Sequence, residues 1–195
     1  MIKAIIFDHF GVLVDSVYDT LYAELPDRDR ELARSIGAAA DRGEITNAER
    51  DEQIMPFLGG SRAKIEAART RARRNDALLA FILELRHDYK VGMLSNAADG
   101  LVESFFSPDD METYFDDVVL SYNVRLVKPD KEIYLLAAER LGVMPHECVF
   151  VDDASHNTIG AEVAGMHGIV YRDVPTLKSD LAKIVEDEHA RIARS

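Results

Sequence analysis

Short apolar runs that end in a polar residue recur along the chain and predict buried β-strands. Each run has four or five residues, which is the length of a strand rather than of a buried helix, and β-branched residues are frequent in them. They end at Asp8, Ser95, Ser121, Asp152 and Arg172. The predicted strands cover residues 3–7, 90–94, 117–120, 148–151 and 168–171.

Stretches with helical spacing separate the later strands. They predict helices at 101–106, 132–141 and 158–164, and glycines at 142 and 165 follow the last two. Alternation of strands and helices predicts an α/β fold with a Rossmann-like parallel sheet and helices on both faces. In such sheets ligands bind beyond the carboxyl ends of the strands, so the polar residues that end the apolar runs are the candidates for chemistry.

Residues 16–88 break this alternation, because the segment contains helical patterns and no convincing strand. We therefore expect a small all-helical cap inserted after the first strand and able to fold over the strand ends. The division predicts a core domain of residues 1–15 and 89–195 and a cap domain of residues 16–88. The predicted cap helices cover residues 18–25, 28–42, 47–58, 62–73 and 75–86.

Composition narrows the class of protein. No apolar run among the 195 residues is long enough to cross a membrane, and the net charge of −12 argues against nucleic acid or an anionic membrane as a partner. An anionic substrate would need local positive charge. The single cysteine, Cys148, excludes an intramolecular disulfide. We expect a cytoplasmic protein, and the sequence carries no signal for its oligomeric state.

The residues at the predicted strand ends form a chemically coherent set. Singly, each is an ordinary helix cap or turn residue. Together they supply a nucleophilic carboxylate, hydroxyl and amide donors, a cation and acidic oxygens for a hard metal, which is the combination that phosphoryl transfer needs. The set comprises Asp8, Ser95, Asn96, Lys128, Asp152, Asp153 and Asn157.

These residues lie in four segments that resemble, in order, the motifs of the haloacid dehalogenase superfamily: FDHFGVLVDS, LSN, KPD and VFVDDASHN. The helical insertion resembles the cap of the subgroup that includes phosphoglycolate phosphatases and haloacid dehalogenases. Within it, the segments GEIT, LSYNVRLVKPDKEIY and VDDASHNTIGAEVAGM are most similar to sugar-phosphate phosphatases of the alpha-glucose-1-phosphate phosphatase type and to the amino-terminal phosphatase domain of epoxide hydrolases.

The resemblance implies an Mg²⁺-dependent phosphatase that acts on a small phosphorylated metabolite through an aspartyl-phosphate. Asp8 would be both nucleophile and metal ligand, and Lys128 would neutralise charge on Asp8 and on the phosphoryl group. Ser95 and the Asn96 amide would bind phosphoryl oxygens. The remaining metal ligands would be the backbone carbonyl of Phe10 and the side chains of Asp152, Asp153 and Asn157.

Phe10 departs from the pattern, because phosphatases of this family carry a second aspartate two residues after the first. That carboxyl protonates the leaving group and then takes a proton from the attacking water, a contribution on the order of 10²- to 10⁴-fold. A phenyl ring cannot replace it. One reading is a phosphatase whose leaving group needs no proton, or one in which His9 or a cap residue supplies it.

Two other readings remain open. An aromatic residue at position 10 is also found in 2-haloacid dehalogenases, which are metal-free; the acidic pair Asp152 and Asp153 argues against that chemistry, because a site that binds a carboxylate should not be ringed with negative charge. Alternatively, the protein is a non-catalytic binder of a phosphorylated ligand or of a partner protein, which would need the whole set except the proton donor.

Overall fold

Five parallel strands form the central sheet of the computed structural model, which describes residues 1–192. Each predicted apolar run is a strand, displaced by at most one residue at either end. The order across the sheet is β3-β2-β1-β4-β5, so β1 lies at the centre between β2 and β4. The strands are β1 (Ala4–Phe7), β2 (Lys90–Ser95), β3 (Asp117–Leu120), β4 (Cys148–Asp152) and β5 (His167–Val170).

Helices cover both faces of the sheet and confirm the predicted α/β fold. One apolar cluster lies on each face: Phe7 and Val151 point into the first, and Ile6 and Phe150 point into the second. This alternation of neighbouring residues is the period of two that a strand imposes. The helices that follow the cap are α5 (Asp76–Leu85), α6 (Pro108–Tyr114), α7 (Ser121–Val124), α8 (Lys131–Leu141), α9 (Ser155–Ala164) and α10 (Val174–Ile192).

The helix predicted at residues 101–106 is wrong, because those residues form consecutive turns. Leu101, Val102 and Phe106 have the apolar spacing of a helix, and all three are buried, but they fill the core from an irregular segment. The helix begins only after Ser107, which caps α6 by accepting a hydrogen bond from the backbone N–H of Asp110 at 3.1 Å. Even the 19-residue α10 is not apolar enough to cross a membrane, nor is any other helix within residues 1–192.

Four helices form the cap, with an apolar cluster of their own that includes Leu21, Ala33, Ile54 and Ile65. Amphipathic helices that cannot reach the sheet bury their apolar faces against one another. The cap helices are α1 (Val17–Ala23), α2 (Asp27–Asp41), α3 (Asn47–Ile54) and α4 (Arg62–Arg71), with a 3-10 turn at Met55–Leu58.

Helix α5 packs on the sheet rather than within the cap. Leu78, Leu79 and Ile82 are buried in the same cluster as Phe7 of β1, and α5 contacts β2 and α10. We therefore propose residues 16–72 as the cap, shorter than the predicted 16–88. The last three residues of the predicted core domain, 193–195, lie outside the described residues.

The cap docks onto the core at the carboxyl ends of the strands. Ser121, the first residue after β3, donates from Oγ to the backbone carbonyl of Asp41 at 2.5 Å. The backbone N–H of Asn47 donates to Asp99 Oδ1 at 2.6 Å. Gly43 lies so close to the carbonyl of Tyr122 that a Cβ there would stand 2.7 Å from the oxygen. The end of α2 and the loop to α3 are thus held above the sheet edge.

Replacement of Ile82 by Ala tests the assignment of α5 to the sheet core. Ile82 is fully buried, so the variant should lose about 2–5 kcal/mol of unfolding free energy in urea denaturation. Leu83, the next residue on the same helix, is 42% exposed, and Leu83→Ala should cost less than about 0.5 kcal/mol. Equal losses for the two variants would contradict the packing described.

Candidate active site

A buried ammonium group joins two carboxylates at the carboxyl edge of the sheet. Lys128 Nζ lies 2.6 Å from Asp8 Oδ1 and 2.6 Å from Asp152 Oδ2. The Lys128 side chain is only 1% exposed, and Asp8 and Asp152 are buried. Burial of charge is tolerated when each charge is paired in this way, and the low local dielectric makes the pairing strong.

The sheet places the two carboxylates side by side. Asp8 follows β1 directly, and Asp152 is the last residue of β4, which pairs with β1 with Phe7 opposite Val151. The carboxyl ends of neighbouring parallel strands coincide, so the two side chains emerge at one edge. The sequence-predicted association of Asp8 with Asp152 thus follows from the register.

Asn96 holds the loop that carries Lys128. Its side chain donates from Nδ2 to the Lys128 carbonyl at 3.0 Å and accepts at Oδ1 from the Lys128 backbone N–H at 2.9 Å. The side-chain amide is therefore engaged with the loop, whereas the sequence suggested that it bind a phosphoryl oxygen. Gly160 lets α9 approach the same loop, since a Cβ there would lie 2.6 Å from the Pro129 carbonyl.

Asp152 is surrounded by donors. Besides Lys128, it accepts from the Ala154 backbone N–H at 2.9 Å and from Asn157 Nδ2 at 3.1 and 3.0 Å. The carbonyl of Asn157 in turn accepts from the buried Tyr134 hydroxyl at 2.7 Å. These bonds fix the Asp152 carboxylate and orient it toward Lys128.

Asp153 completes a cluster of three carboxylates. One oxygen from each of Asp8, Asp152 and Asp153 lies within 4.8 Å of the others, and Asp153 is the exposed member. Gly11 makes room for it: its φ is +86°, and a Cβ on this residue would lie 2.4 Å from Asp153 Oδ2. The glycine after Phe10 is thus required both by the turn and by the carboxylate.

Ser95 brings an unpartnered hydroxyl to the same edge. It is the last residue of β2, the neighbour of β1. Its Oγ is buried and has no hydrogen-bond partner among residues 1–192. A buried hydroxyl without a partner costs free energy, so a site that leaves one open is suited to a polar ligand.

Positive charge is in short supply in this cluster. Burial raises the pKa of Asp8 to about 8, although the Lys128 ammonium acts in the opposite direction. Burial and the nearby Asp152 also raise the pKa of Asp153. The carboxylates of Asp8 and Asp152 raise the pKa of Lys128. Three carboxylates share this one ammonium group, which favours a bound cation.

The His9 side chain faces the core, away from the carboxyl edge of the sheet where Asp8, Lys128 and Asp152 meet. Its ring lies 4.1 Å from the Phe10 ring and 5.5 Å from the Phe106 ring, measured between centroids. The side chain is fully buried, and neither ring nitrogen has a hydrogen-bond partner in the described chain. Burial lowers the pKa of His9 to about 3, so the imidazole is neutral. This position argues against His9 as the proton donor that the sequence suggested.

Phe10 packs between the core and the cap. Its partly buried ring contacts both the apolar cluster on the sheet and the cluster inside the cap, and it meets the Phe105 ring edge-on at 6.0 Å. The ring therefore supplies apolar contact at the junction of the two units.

A cavity of about 260 Å³ lies between cap and core. The core contributes Phe10, Asn96 and Leu101, and α1, α2 and α3 contribute the cap side. Sequence reasoning missed most of its charged lining, because Asp41 and Arg50 occupy helical positions that carry no motif. The cap residues with polar or aromatic side chains are Ser16, Tyr18, Asp19, Tyr22, Arg34, Asp41 and Arg50.

A buried polar cluster stiffens one wall of the cavity. The Arg50 guanidinium stacks 3.5 Å from the centre of the Tyr18 ring, and the Tyr18 hydroxyl donates to Asp51 Oδ1 at 2.8 Å. Arg69 pairs with the other oxygen of Asp51 at 2.8 Å. Stacking and ion pairing of this kind hold side chains in one rotamer, so the wall is preformed.

Comparison with known proteins gives one consistent family. A family model described as haloacid dehalogenase-like hydrolase matches residues 2–165. D-ribitol-5-phosphate phosphatase of Bacteroides thetaiotaomicron is 30% identical over 183 residues, covering 84% of this chain and 89% of that protein. Hexitol phosphatase B of Escherichia coli K12 is 26% identical over 188 residues, covering 92% and 72%.

A solved structure is similar over nearly the same length. It is a haloacid dehalogenase family enzyme of Bacteroides thetaiotaomicron in complex with magnesium and inorganic phosphate. The TM-score is 0.65 at 27% identity, with 88% of this chain and 95% of that chain covered.

Replacement of Gly11 by Ala should displace Asp153 and weaken Mg²⁺ binding. The measurement is the rise in unfolding temperature on addition of Mg²⁺, which reports binding to the folded chain. Gly59→Ala is the matched control, because Gly59 has a φ of +73° and nothing in the described chain lies within 4 Å of its Cβ position. Both variants introduce backbone strain, because both glycines have a positive φ. Only Gly11→Ala should lose the rise in unfolding temperature on addition of Mg²⁺. A full response in Gly11→Ala would contradict this role.

Asp8→Asn should stabilise the protein in EDTA at pH 8. The pKa of Asp8 is raised from 3.8 to about 8, so the folded state binds this proton more tightly and loses stability as the pH rises between those values. The variant should therefore unfold at a higher temperature than wild type at pH 8, by roughly 2–4 °C for each kcal/mol relieved, and the gap should shrink at pH 5. A less stable variant at pH 8 would mean that the ion pair with Lys128 outweighs burial.

Proposed function

The chain belongs to the haloacid dehalogenase-like hydrolases, and from this we propose that it is an Mg²⁺-dependent phosphatase of small phosphorylated metabolites that works through an aspartyl-phosphate at Asp8. The observation that carries the proposal is the buried Lys128 ammonium, 2.6 Å from the Asp8 carboxylate, in a cluster with two further carboxylates. A carboxylate attacking phosphorus meets strong charge repulsion, and this arrangement is suited to relieving it.

The chain's own residues supply the attack and much of the charge stabilisation. An Asp8 carboxylate oxygen attacks phosphorus, and the bond from phosphorus to the leaving-group oxygen breaks. Lys128 neutralises charge on Asp8 and on the transferring group. The open hydroxyl of Ser95 donates to a phosphoryl oxygen, which satisfies its buried Oγ. Water then attacks phosphorus in the aspartyl-phosphate and restores the Asp8 carboxylate.

The donor set fits Mg²⁺, which prefers oxygen ligands and keeps several waters. Asp8, Asp153 and the backbone carbonyl of Phe10 would hold the ion. Asp152 and Asn157 would support it from outside, because the Asp152 oxygens already accept from Lys128 and Asn157. When bound, the ion would offset the negative charge shared by the carboxylate and the phosphoryl group. The magnesium and phosphate in the similar solved enzyme support this assignment.

A hydroxylated leaving group fits the cavity. Its walls combine the donors Arg34 and Arg50 with the acceptors Asp19 and Asp41, and the aromatic faces of Tyr18 and Tyr22. Side chains of these kinds bind the hydroxyls and the apolar carbon faces of a sugar or sugar alcohol. The names of two relatives, a ribitol-phosphate and a hexitol phosphatase, support phosphorylated sugars as the substrate class.

The carboxylate cluster disfavours dehalogenation in spite of the aromatic residue at position 10. A 2-haloacid brings its own carboxylate next to the carbon under attack. In this site it would meet Asp152 and Asp153, within 4.8 Å of the nucleophile, and one ammonium group would have to offset four negative charges.

Release of inorganic phosphate tests the proposed function. The substrates are acetyl phosphate, glucose 1-phosphate, glucose 6-phosphate and D-ribitol 5-phosphate, each with Mg²⁺ and with EDTA. We expect release that depends on Mg²⁺. Asp8→Asn should lower it on the order of 10³-fold or more, because it removes the nucleophile, without unfolding the protein.

The outcome separates an enzyme from a binding protein. Turnover that survives in a folded Asp8→Asn protein would refute the nucleophile. Mg²⁺-dependent binding of these esters without any hydrolysis would instead support a non-catalytic binder.

A further inference from the structure

The site at Asp8 lacks a proton donor at position 10, and a cap residue is placed to replace it. We propose that Asp41 protonates the leaving group and then takes the proton from the attacking water, acting from the cap in place of the carboxylate that Phe10 cannot provide. This inference rests on the phosphatase function proposed above, and its experiment separates failure of the one from failure of the other.

The cavity brings Asp41 to the right region. Asp41 lines the same space as Phe10 and Asn96, which lie in the loops after β1 and β2 at the carboxyl edge of the sheet. With the phosphoryl group held at Asp8, Ser95 and Lys128 as proposed, the leaving group would extend past Phe10 and Asn96 into this cavity, toward Asp41. Asp41 is also within electrostatic reach of Lys128.

Contacts with the core fix the position of Asp41. It is the last residue of α2, and its carbonyl accepts a hydrogen bond from the buried Ser121 Oγ at 2.5 Å. Ser121 Oγ in turn accepts from the backbone N–H of Ala97 at 3.0 Å, just after β2. The backbone of Asp41 is therefore tied to two strand ends, whereas its carboxylate has no hydrogen-bond partner within residues 1–192 and lines the cavity.

Other titratable groups that line the cavity are poorly suited to this role. Asp19 is exposed and accepts from Ser16 Oγ at 2.7 Å, which places it at the rim. Burial raises the pKa of Tyr18 to about 12 and raises that of Tyr22 further. Both phenols stay protonated near neutral pH, so neither can act as the base that takes a proton from water. The imidazole of His9 faces the core and does not line the cavity.

Asp41 has an environment suited to proton transfer near neutral pH. Burial raises its pKa to about 6, and the positive charges of Arg50 and Lys128 offset only part of that effect. A carboxyl with a pKa close to the working pH serves as acid in one step and as base in the next. The charged or titratable groups around it are Asp19, Tyr22, Arg34, Arg42, Arg50 and Lys128.

Asp41 would transfer a proton in each of the two steps. As Asp8 attacks and the phosphorus–oxygen bond to the leaving group breaks, the Asp41 carboxyl gives its proton to that oxygen, and an alcohol departs. The Asp41 carboxylate then takes a proton from water while the water oxygen bonds to phosphorus. Asp8 leaves as a carboxylate, so inorganic phosphate is released and both aspartates return to their starting forms.

Asp41→Asn is the direct test, because it keeps size and the backbone carbonyl that binds Ser121. For the alkyl phosphate that wild type hydrolyses best, kcat/KM should fall about 10²- to 10⁴-fold. For acetyl phosphate, whose leaving group departs without a proton, it should stay within about threefold. Asp29→Asn, which neutralises a partly exposed carboxylate in the first turn of the same helix α2, should leave kcat/KM for both substrates within about threefold.

The pH profile gives a second readout. With one alkyl phosphate in both proteins, the ratio of wild-type to Asp41→Asn kcat/KM should decline as the pH rises above about 6, since the acid form of Asp41 is lost. A ratio that does not change with pH would overturn the assignment.

The dependence of the wild-type rate on leaving-group pKa tests the proton donor without relying on the folding of Asp41→Asn. Across a series of substituted phenyl phosphates, an enzyme with a proton donor shows a shallow dependence of rate on leaving-group pKa, and one without a donor shows a steep dependence. We expect the shallow dependence. A steep dependence, wild-type hydrolysis of acetyl phosphate but of no alkyl ester, or equal losses on both substrates in Asp41→Asn would overturn the role of Asp41. Asp8-independent release would overturn the proposed function instead.

Discussion

The site depends on one buried interaction, the Lys128 ammonium held between Asp8 and Asp152. Each N–O distance is 2.6 Å, and all three side chains are withdrawn from water. Removing the ammonium from such a contact would leave two buried carboxylates uncompensated, which costs about 3–5 kcal/mol. The register of β1 and β4 brings the carboxylates together, and Asn96 anchors the loop that delivers the ammonium. Much of the fold near this edge therefore serves to keep one cation in place.

The site holds three carboxylates, Asp8, Asp152 and Asp153, against the single ammonium group of Lys128. Burial raises the pKa of Asp8 and of Asp153, so the metal-free site is strained electrostatically. Functional sites often carry such a cost, which is recovered when the intended ligand binds. An Mg²⁺ ion and a phosphoryl group would supply the missing partners for the carboxylates and for Ser95.

The Phe10 side chain links the core and the cap. Its ring packs against both the sheet cluster and the cap cluster, so it strengthens the junction at the position where the family resemblance implies an aspartate. If the proton comes from Asp41, catalysis requires the cap to be docked, as it is through Ser121. Docking would then both exclude water and complete the catalytic set, which couples binding of substrate to chemistry.

The sequence was most informative where local pattern and chemistry coincide. Short apolar runs predicted all five strands of the described sheet, and the residues that end them include Asp8, Ser95 and Asp152. It failed at residues 101–106, where buried side chains mimic helical spacing in a turn. The shorter cap that we propose rests on the packing of α5 against the sheet, and packing partners leave no trace in periodicity. The bond from Asn96 to the Lys128 loop and the place of Asp41 depend on contacts between distant segments, which no single-sequence pattern contains.

Trapping of the phosphorylated protein tests the central role of Asp8 most directly. Wild type mixed with acetyl phosphate and Mg²⁺, then quenched with acid within milliseconds, should carry one phosphoryl group on the peptide that contains Asp8. The bond should be cleaved by hydroxylamine, as an acyl phosphate is, and should be absent in Asp8→Asn. Turnover without phosphorylation at Asp8, or a phosphoryl group bound to another residue, would contradict the account.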